Sequence, residues 1–140
     1  MSIQNTVEQI KKHEGFRSHP YYCTAKKLTL GYGRNLDDVG INEQEAEILL
    51  QNDLNECKAV VKRNIDTRYC NDAQIGVLIN MAYNLGAGGL MAFKKMRACV
   101  EAGDFQGAAN EMLDSRWAQQ VPVRAEELAK QMVLGEWQRA

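Results

Sequence analysis

Asn42 and Glu45 stand three residues apart at the head of a long amphipathic run, and no other feature of the 140-residue chain limits its fold as much. The pair is the signature of a capping box, in which an amide and a carboxylate satisfy backbone donors at a helix start. Behind it Ala46, Leu49, Leu50, Leu54, Cys57, Val60 and Val61 fall on one face, so the spacing predicts one helix as far as about Arg63. At about 1.5 Å per residue such a helix reaches roughly 30 Å, long for a small domain. A chain of this length supports one domain and not two independent ones.

Helical signals continue downstream. Asn71 and Gln74 offer a second capping box, opening a segment from Ile75 to Leu85 that is apolar almost all round and is expected at the centre of a helical core. Gly86, Gly88 and Gly89 end it. Asp104 opens a further helix with Phe105, Ala108, Ala109, Met112 and Leu113 inward. Pro122 suits the first turn of a last helix, which Gly135 closes.

The N-terminal third reads differently. Ile3, Val7 and Ile10 recur at helical spacing and Glu14 falls next on that face, so an acid extends an apolar stripe before Gly15 stops the helix as a left-handed cap. Tyr21-Tyr22-Cys23-Thr24 and Leu28-Thr29-Leu30 are β-prone runs around Ala25-Lys26-Lys27, a hairpin that no Asn-Gly or Gly-Gly turn announces. Cys23 and Thr29 are then neighbours across the strand pair. Gly31 and Gly33, just beyond, allow close backbone approach or a bulge. The fold class expected is α+β, mostly helical, with one small hairpin.

Composition removes several functions. The net charge of −1 gives no large electrostatic attraction to nucleic acid or to an anionic wall polymer. No apolar stretch approaches the roughly 20 residues that span a bilayer, so stable membrane insertion is not expected. The start, Met1-Ser2-Ile3-Gln4-Asn5, lacks the basic and apolar regions of a signal peptide, and synthesis and folding in a cytoplasm are expected. Cys23, Cys57, Cys70 and Cys99 are widely scattered, with only His13 and His19 as company. Reduced thiols are expected rather than disulfides or a zinc site, and no metal or other cofactor.

Chemistry concentrates in the N-terminal third. A carboxylic acid facing two small polar groups across a turn is the equipment of glycosidic-bond hydrolysis, where one group protonates the leaving oxygen while another activates water. Glu14, eight residues, Cys23, five residues, Thr29, running into Gly31-Tyr32-Gly33-Arg34, has that form. At this spacing the chain resembles the phage-type lysozymes, glycoside hydrolase family 24, whose signature is Glu, then Asp or Cys, then Thr. Ile79-Asn80-Met81-Ala82-Tyr83-Asn84-Leu85-Gly86 with Gly89 and Phe93 resembles the family's central helix and the loop after it. Ser115-Arg116-Trp117, Gln120, Pro122, Arg124-Ala125 and Gly135-Glu136-Trp137 resemble its C-terminal block.

The resemblance implies a lysozyme-like fold: a small hairpin-containing lobe over about residues 15–60, a larger helical lobe over about 61–140 that includes the N-terminal helix, the long helix joining them, and an active-site cleft between. It implies a muramidase cutting the bond between N-acetylmuramic acid and N-acetylglucosamine, most simply an endolysin that acts as a monomer on peptidoglycan after a holin lets it out of the host cytoplasm. Glu14 is then the general acid, its proton retained by burial on the apolar stripe. Arg124 matches the arginine that pairs with this acid and orients it. Thr29 would fix the attacking water.

Cys23 stands where well-known relatives have Asp. A free thiol has a pKa of about 8.5, so a role as partial base calls for a nearby cation, with Lys26, Lys27 or His19 as candidates. A nucleophilic Cys23 and an inert packed one are the alternatives. Tyr83 and Asn84 match the family's aromatic and amide at the cleft, for sugar rings and acetamido groups. Arg34 and Asn35 replace a His-Leu pair, Glu111 replaces a substrate-side Asn, and Trp117 and Trp137 read as structural. Two other functions fit the same residues: a lytic transglycosylase, in which the sugar's own hydroxyl replaces water, and a wall-binding protein without activity.

Overall fold

A computed structural model describes residues 3–139. Their elements run α1 (Gln4–Glu14), β1 (Arg17–Tyr22), β2 (Leu28–Gly31), β3 (Arg34–Asn35), α2 (Glu43–Asn64), α3 (Asp72–Met91), α4 (Lys94–Glu101), α5 (Phe105–Leu113), α6 (Arg116–Gln120) and α7 (Pro122–Leu134). This is the α+β class, mostly helical with one small sheet. The chain divides into two compact units, the first through Ile48 and the second from Leu49, the division falling within α2.

In the first unit the strands form an antiparallel sheet in the order β1-β2-β3. The hairpin pairs Tyr21 with Thr29 and Tyr22 with Leu28, and begins earlier than its β-prone core, with Arg17 opposite Gly31. Between Arg17 and Tyr21 the register is irregular. Pro20 lies there, and a residue without an N–H cannot serve a regular ladder. The turn is a three-residue loop: Cys23 N donates to Lys27 O at 3.0 Å, Lys26 N donates to Cys23 O at 2.8 Å, and Lys26 takes φ 61. Such loops need a left-handed residue at that point, usually Gly, and here a lysine fills it, which is why no Asn-Gly marked the turn.

Both capping boxes form. Asn42 N donates to Glu45 Oε1 at 3.0 Å while Glu45 N donates to Asn42 Oδ1 at 2.8 Å. Asn71 and Gln74 exchange the same two bonds at the head of α3. Gly86, at φ 79 and ψ 167, breaks α3 where the glycines were expected to stop it, and a short helical piece follows.

The core of the second unit gathers Val61, Val77, Leu78, Met81, Leu90, Met96, Val100, Met112, Trp117, Leu128 and Met132. Two buried glutamines clamp α3 to α7: Gln74 Nε2 donates to Met132 O at 3.0 Å and Gln131 Nε2 donates to Ala73 O at 2.7 Å. Asn71 Nδ2 also donates to Gly135 O at 2.9 Å. Gly135 closes α7 in the left-handed conformation, with Pro122 at its first turn.

Three burial expectations are corrected. Leu113 is exposed because, as the last residue of α5, it borders an open groove shared with Val133 and Leu134 of α7. Leu49 is exposed too; in α2 burial sets in towards the C-terminal end, where Val61 and then Ile65 enter the core. The apolar stripe of α1 is not fully buried: the helix holds no buried residue, Val7 is half-buried, and Ile3 and Ile10 are 73% and 47% exposed. Helical spacing put these residues on one face, but the small sheet of their own unit does not cover it.

Candidate active site

Glu14 ends α1. Gly15 carries φ 69 with ψ 157, so it has the positive φ expected of the stop but an extended ψ, and it sends the chain directly into β1. The Glu14 carboxylate rests on Gly33. A Cβ at Gly33 would stand 2.5 Å from Glu14 Oε2 and 2.7 Å from its Cδ, and φ there is +75. The close approach expected at this glycine is therefore an approach of the acid itself. Glu14 is exposed, so the burial expected to hold its proton is absent.

Thr29 lies in β2 opposite Tyr21 and is 3% exposed. Its hydroxyl donates to Lys27 O at 2.8 Å, leaving its oxygen free to accept. Cys23, two residues beyond Tyr21, lies diagonal to Thr29 on the same face of the hairpin. The backbone amide of Lys27 holds the Cys23 thiol below its ordinary pKa. Desolvation opposes this, and the Ala25 backbone, the Thr29 hydroxyl and the cysteine's own backbone add to it. The backbone of the hairpin tip thus lowers the thiol's pKa.

Of the cations expected beside the thiol, Lys27 interacts electrostatically with Cys23, although Asp38 is its main partner. Lys27 Nζ lies 3.1 Å from Asp38 Oδ1, a bond that raises the lysine's own pKa, and His19 Nδ1 shares a hydrogen bond with Ser18 Oγ at 2.9 Å. Asp37 and Asp38 were not singled out in the sequence. Asp37 accepts from Leu28 N at 2.6 Å, and Asp38 holds both Lys27 and Asn35, tying the hairpin to the turn after β3. Their only sequence signal is an Asp pair following Asn35, ordinary for a turn.

Arg34 donates from Nη2 to Glu45 Oε1 at 2.8 Å and from Nε to Gly40 O at 3.1 Å. The backbone bond at Asn42 lowers the Glu45 pKa most, with Arg34 adding to it against desolvation. The residue that departs from the family pattern therefore anchors the sheet to the start of α2.

In the second unit Tyr83 is 45% exposed on α3. Asn84 beside it accepts from the Nε1 of buried Trp117 at 2.7 Å, which fixes the amide and leaves its NH2 donors for another partner. Trp117 and Leu85 also line an open cavity of about 540 Å³ with Phe93, Lys94, Glu111 and Gln120. Arg124 Nε donates to Asn80 Oδ1 at 2.8 Å, so the guanidinium is steadied by α3, and Asn80 joins the site as an anchor that carried no signal of its own. Trp137 is 52% exposed but packs its ring on Gly76. Glu14, Cys23 and Thr29 thus belong to the first unit, and Tyr83, Asn84 and Arg124 to the second.

All four cysteines are free thiols. Burial pushes the Cys57, Cys70 and Cys99 thiols up, opposite to Cys23. Among the described residues no three His, Cys, Asp or Glu side chains are grouped to hold a metal.

Residues 11–132 match the sequence family described as Phage lysozyme. The endolysin of Bacillus phage B103 is 35% identical over 116 residues, which cover 79% of this chain and 43% of that protein. The endolysin of Acyrthosiphon pisum secondary endosymbiont phage 1 is 28% identical over 113 residues, 78% of this chain and 74% of that protein. The pre-baseplate central spike protein Gp5 of Enterobacteria phage T4 is 26% identical over 158 residues, 92% of this chain and 28% of that protein. The chain spans less than half the length of the first of these relatives and about three quarters of the second.

Proposed function

The chain belongs to the phage lysozyme family, and from that premise we propose that it is a peptidoglycan muramidase of the endolysin kind, hydrolysing the β-1,4 bond between N-acetylmuramic acid and N-acetylglucosamine. Glu14 acts as general acid. Cys23 and Thr29 hold and polarise the attacking water from the opposite side. Tyr83 and Asn84 bind the sugar ring and its acetamido group, and Arg124 is a supporting residue.

The observation that carries this reading is the hairpin tip. The Cys23 thiol, held below its ordinary pKa chiefly by the Lys27 backbone amide, is the candidate proton acceptor for water attack, in the unit where Glu14 lies on Gly33. A glycan laid over the exposed Glu14 carboxyl would exclude water and disfavour its charged form, taking the place of the burial that α1 does not supply. Asn84, fixed by Trp117, keeps two donors for an acetamido oxygen.

No single described helix is long and apolar enough to cross a membrane. The endolysin reading carries with it holin-dependent release from the host cytoplasm and action on the wall as a monomer.

Digestion of purified, O-acetyl-free peptidoglycan tests it, with products analysed by mass spectrometry for reducing and anhydro ends. Reducing ends are expected, together with a fall of about 10²- to 10⁴-fold in Glu14→Gln, the usual weight of a general acid. Anhydro ends, one water lighter, would instead assign a transglycosylase. Wall binding without product, indifferent to Glu14→Gln, would leave only a binding protein.

A further inference from the structure

Phe16 and Tyr32 are large rings left in water, 65% and 45% exposed, yet they are paired, with centroids 5.7 Å apart and planes at 50°. Glycines of positive φ set them in place: Gly15 precedes Phe16, and Gly31 and Gly33 flank Tyr32. At Gly15 and Gly31 an added Cβ would meet no atom within 4 Å other than those of its chain neighbours, so no further residue crowds these two positions. Rings this exposed contribute little to a core, and apolar surface held in water next to a site marks a surface for ligand.

Two observations say what the ligand is. Lys11 Nζ lies 5.5 Å from the centroid of the Tyr32 ring, and among the described residues of its own unit no carboxylate forms a salt bridge with it. The rings are also continuous with the acid: Phe16 follows Glu14 by two residues, and Tyr32 adjoins the Gly33 on which the Glu14 carboxylate rests. Aromatic faces take the C–H face of a pyranose, and an ammonium beside them takes a carboxylate.

We propose that Phe16, Tyr32 and Lys11 form a saccharide subsite beside Glu14 that stacks on one sugar ring and pairs with a carboxylate borne on its lactyl arm. The subsite rests on the muramidase reading and adds to it a choice among glycans. A neutral N-acetylglucosamine oligomer satisfies the rings alone, and a strand whose muramic residues carry a free lactyl carboxylate satisfies the rings and the lysine.

The test is calorimetric binding to the Glu14→Gln protein, which retains the glycan uncut. The probes are chitohexaose, glycan strands stripped of stem peptides, and strands that keep them. Joint Phe16→Leu and Tyr32→Leu should weaken all three by about five- to tenfold. Tyr32→Phe should restore the Tyr32 share of that loss. Lys11→Gln should weaken the stripped strands and remove their added salt dependence, leaving chitohexaose and the stem-bearing strands, whose lactyl carboxyls are amidated, unchanged. Tighter binding of stripped than of stem-bearing strands assigns the carboxylate to the lactyl arm, as proposed, and the reverse order overturns that assignment.

The subsite is overturned if the double leucine protein, folded by circular dichroism, binds every probe as its parent does while the wild-type chain still cuts the wall. A wild-type chain that neither cuts nor binds any probe overturns the muramidase reading and the subsite together.

Discussion

Gly33→Ala separates geometry from stability at the acid. A Cβ there would stand 2.5 Å from Glu14 Oε2 and 2.7 Å from Cδ. Relaxed contacts between such atoms lie nearer about 3.5 Å, so the carboxyl has to retreat by roughly 1 Å. It can do so, being the far end of a flexible side chain. A displacement of that size in a reacting group costs about 10²-fold in rate, or about 2.7 kcal/mol of transition-state stabilisation.

The backbone carries a second cost, since alanine at φ +75 is disfavoured by about 1–2 kcal/mol. Gly31→Ala isolates it: φ there is +69, but the new methyl group meets nothing within 4 Å. Both variants should therefore melt lower, by roughly 3–10 °C. Only Gly33→Ala should lose activity. Melting is followed by circular dichroism, and reducing-end release from purified peptidoglycan is measured at 20 °C or so, below both transitions. Equal specific activities in the two alanine variants would refute the claim that Gly33 exists to seat the acid.

Two further outcomes follow from the charges. With the Cys23 thiol lowered by the Lys27 amide and those of Cys57, Cys70 and Cys99 raised by burial, limited iodoacetamide near neutral pH should label Cys23 first, read by peptide mass spectrometry; first labelling at any other cysteine contradicts that lowering. Glu45 has a depressed pKa, so its carboxylate adds stability that is present above its unfolded value and lost as pH falls through the folded one. Urea unfolding of Glu45→Gln should show a loss of stability at pH 7 that narrows as pH falls through the carboxylate range, and a pH-independent difference would remove the linkage.

Helix ends were legible in the sequence because they are chemical: Asn42 with Glu45 and Asn71 with Gln74 each form the reciprocal bonds that their spacing requires, and Gly86 and Gly135 take the backbone angles that stop a helix. The hairpin was legible in its centre and not at its edges. Pro20 disturbs the register, and Lys26 takes a conformation that no residue type announced.

Periodicity placed Ile3, Val7 and Ile10 on one face, but a period reports which residues lie together and not whether another element covers them. The same limit hid the fate of Glu14. The surroundings of Cys23 were illegible for another reason, since the donors that act on its sulfur are mostly backbone amides, which every sequence contains.

The clamp between α3 and α7 has a consequence for synthesis on the ribosome. Asn71, Gln74 and Gln131 find their partners only when the last helix is present: Gly135 O, Met132 O and Ala73 O. A nascent chain halted near residue 110 would leave the Gln74 amide without its carbonyl and the faces of Val77 and Leu78 without Leu128 and Met132. Such a chain would be collapsed and unfinished, open to capture by chaperones, and emergence of residues 111–140 would complete the native form of the helical unit in a single step.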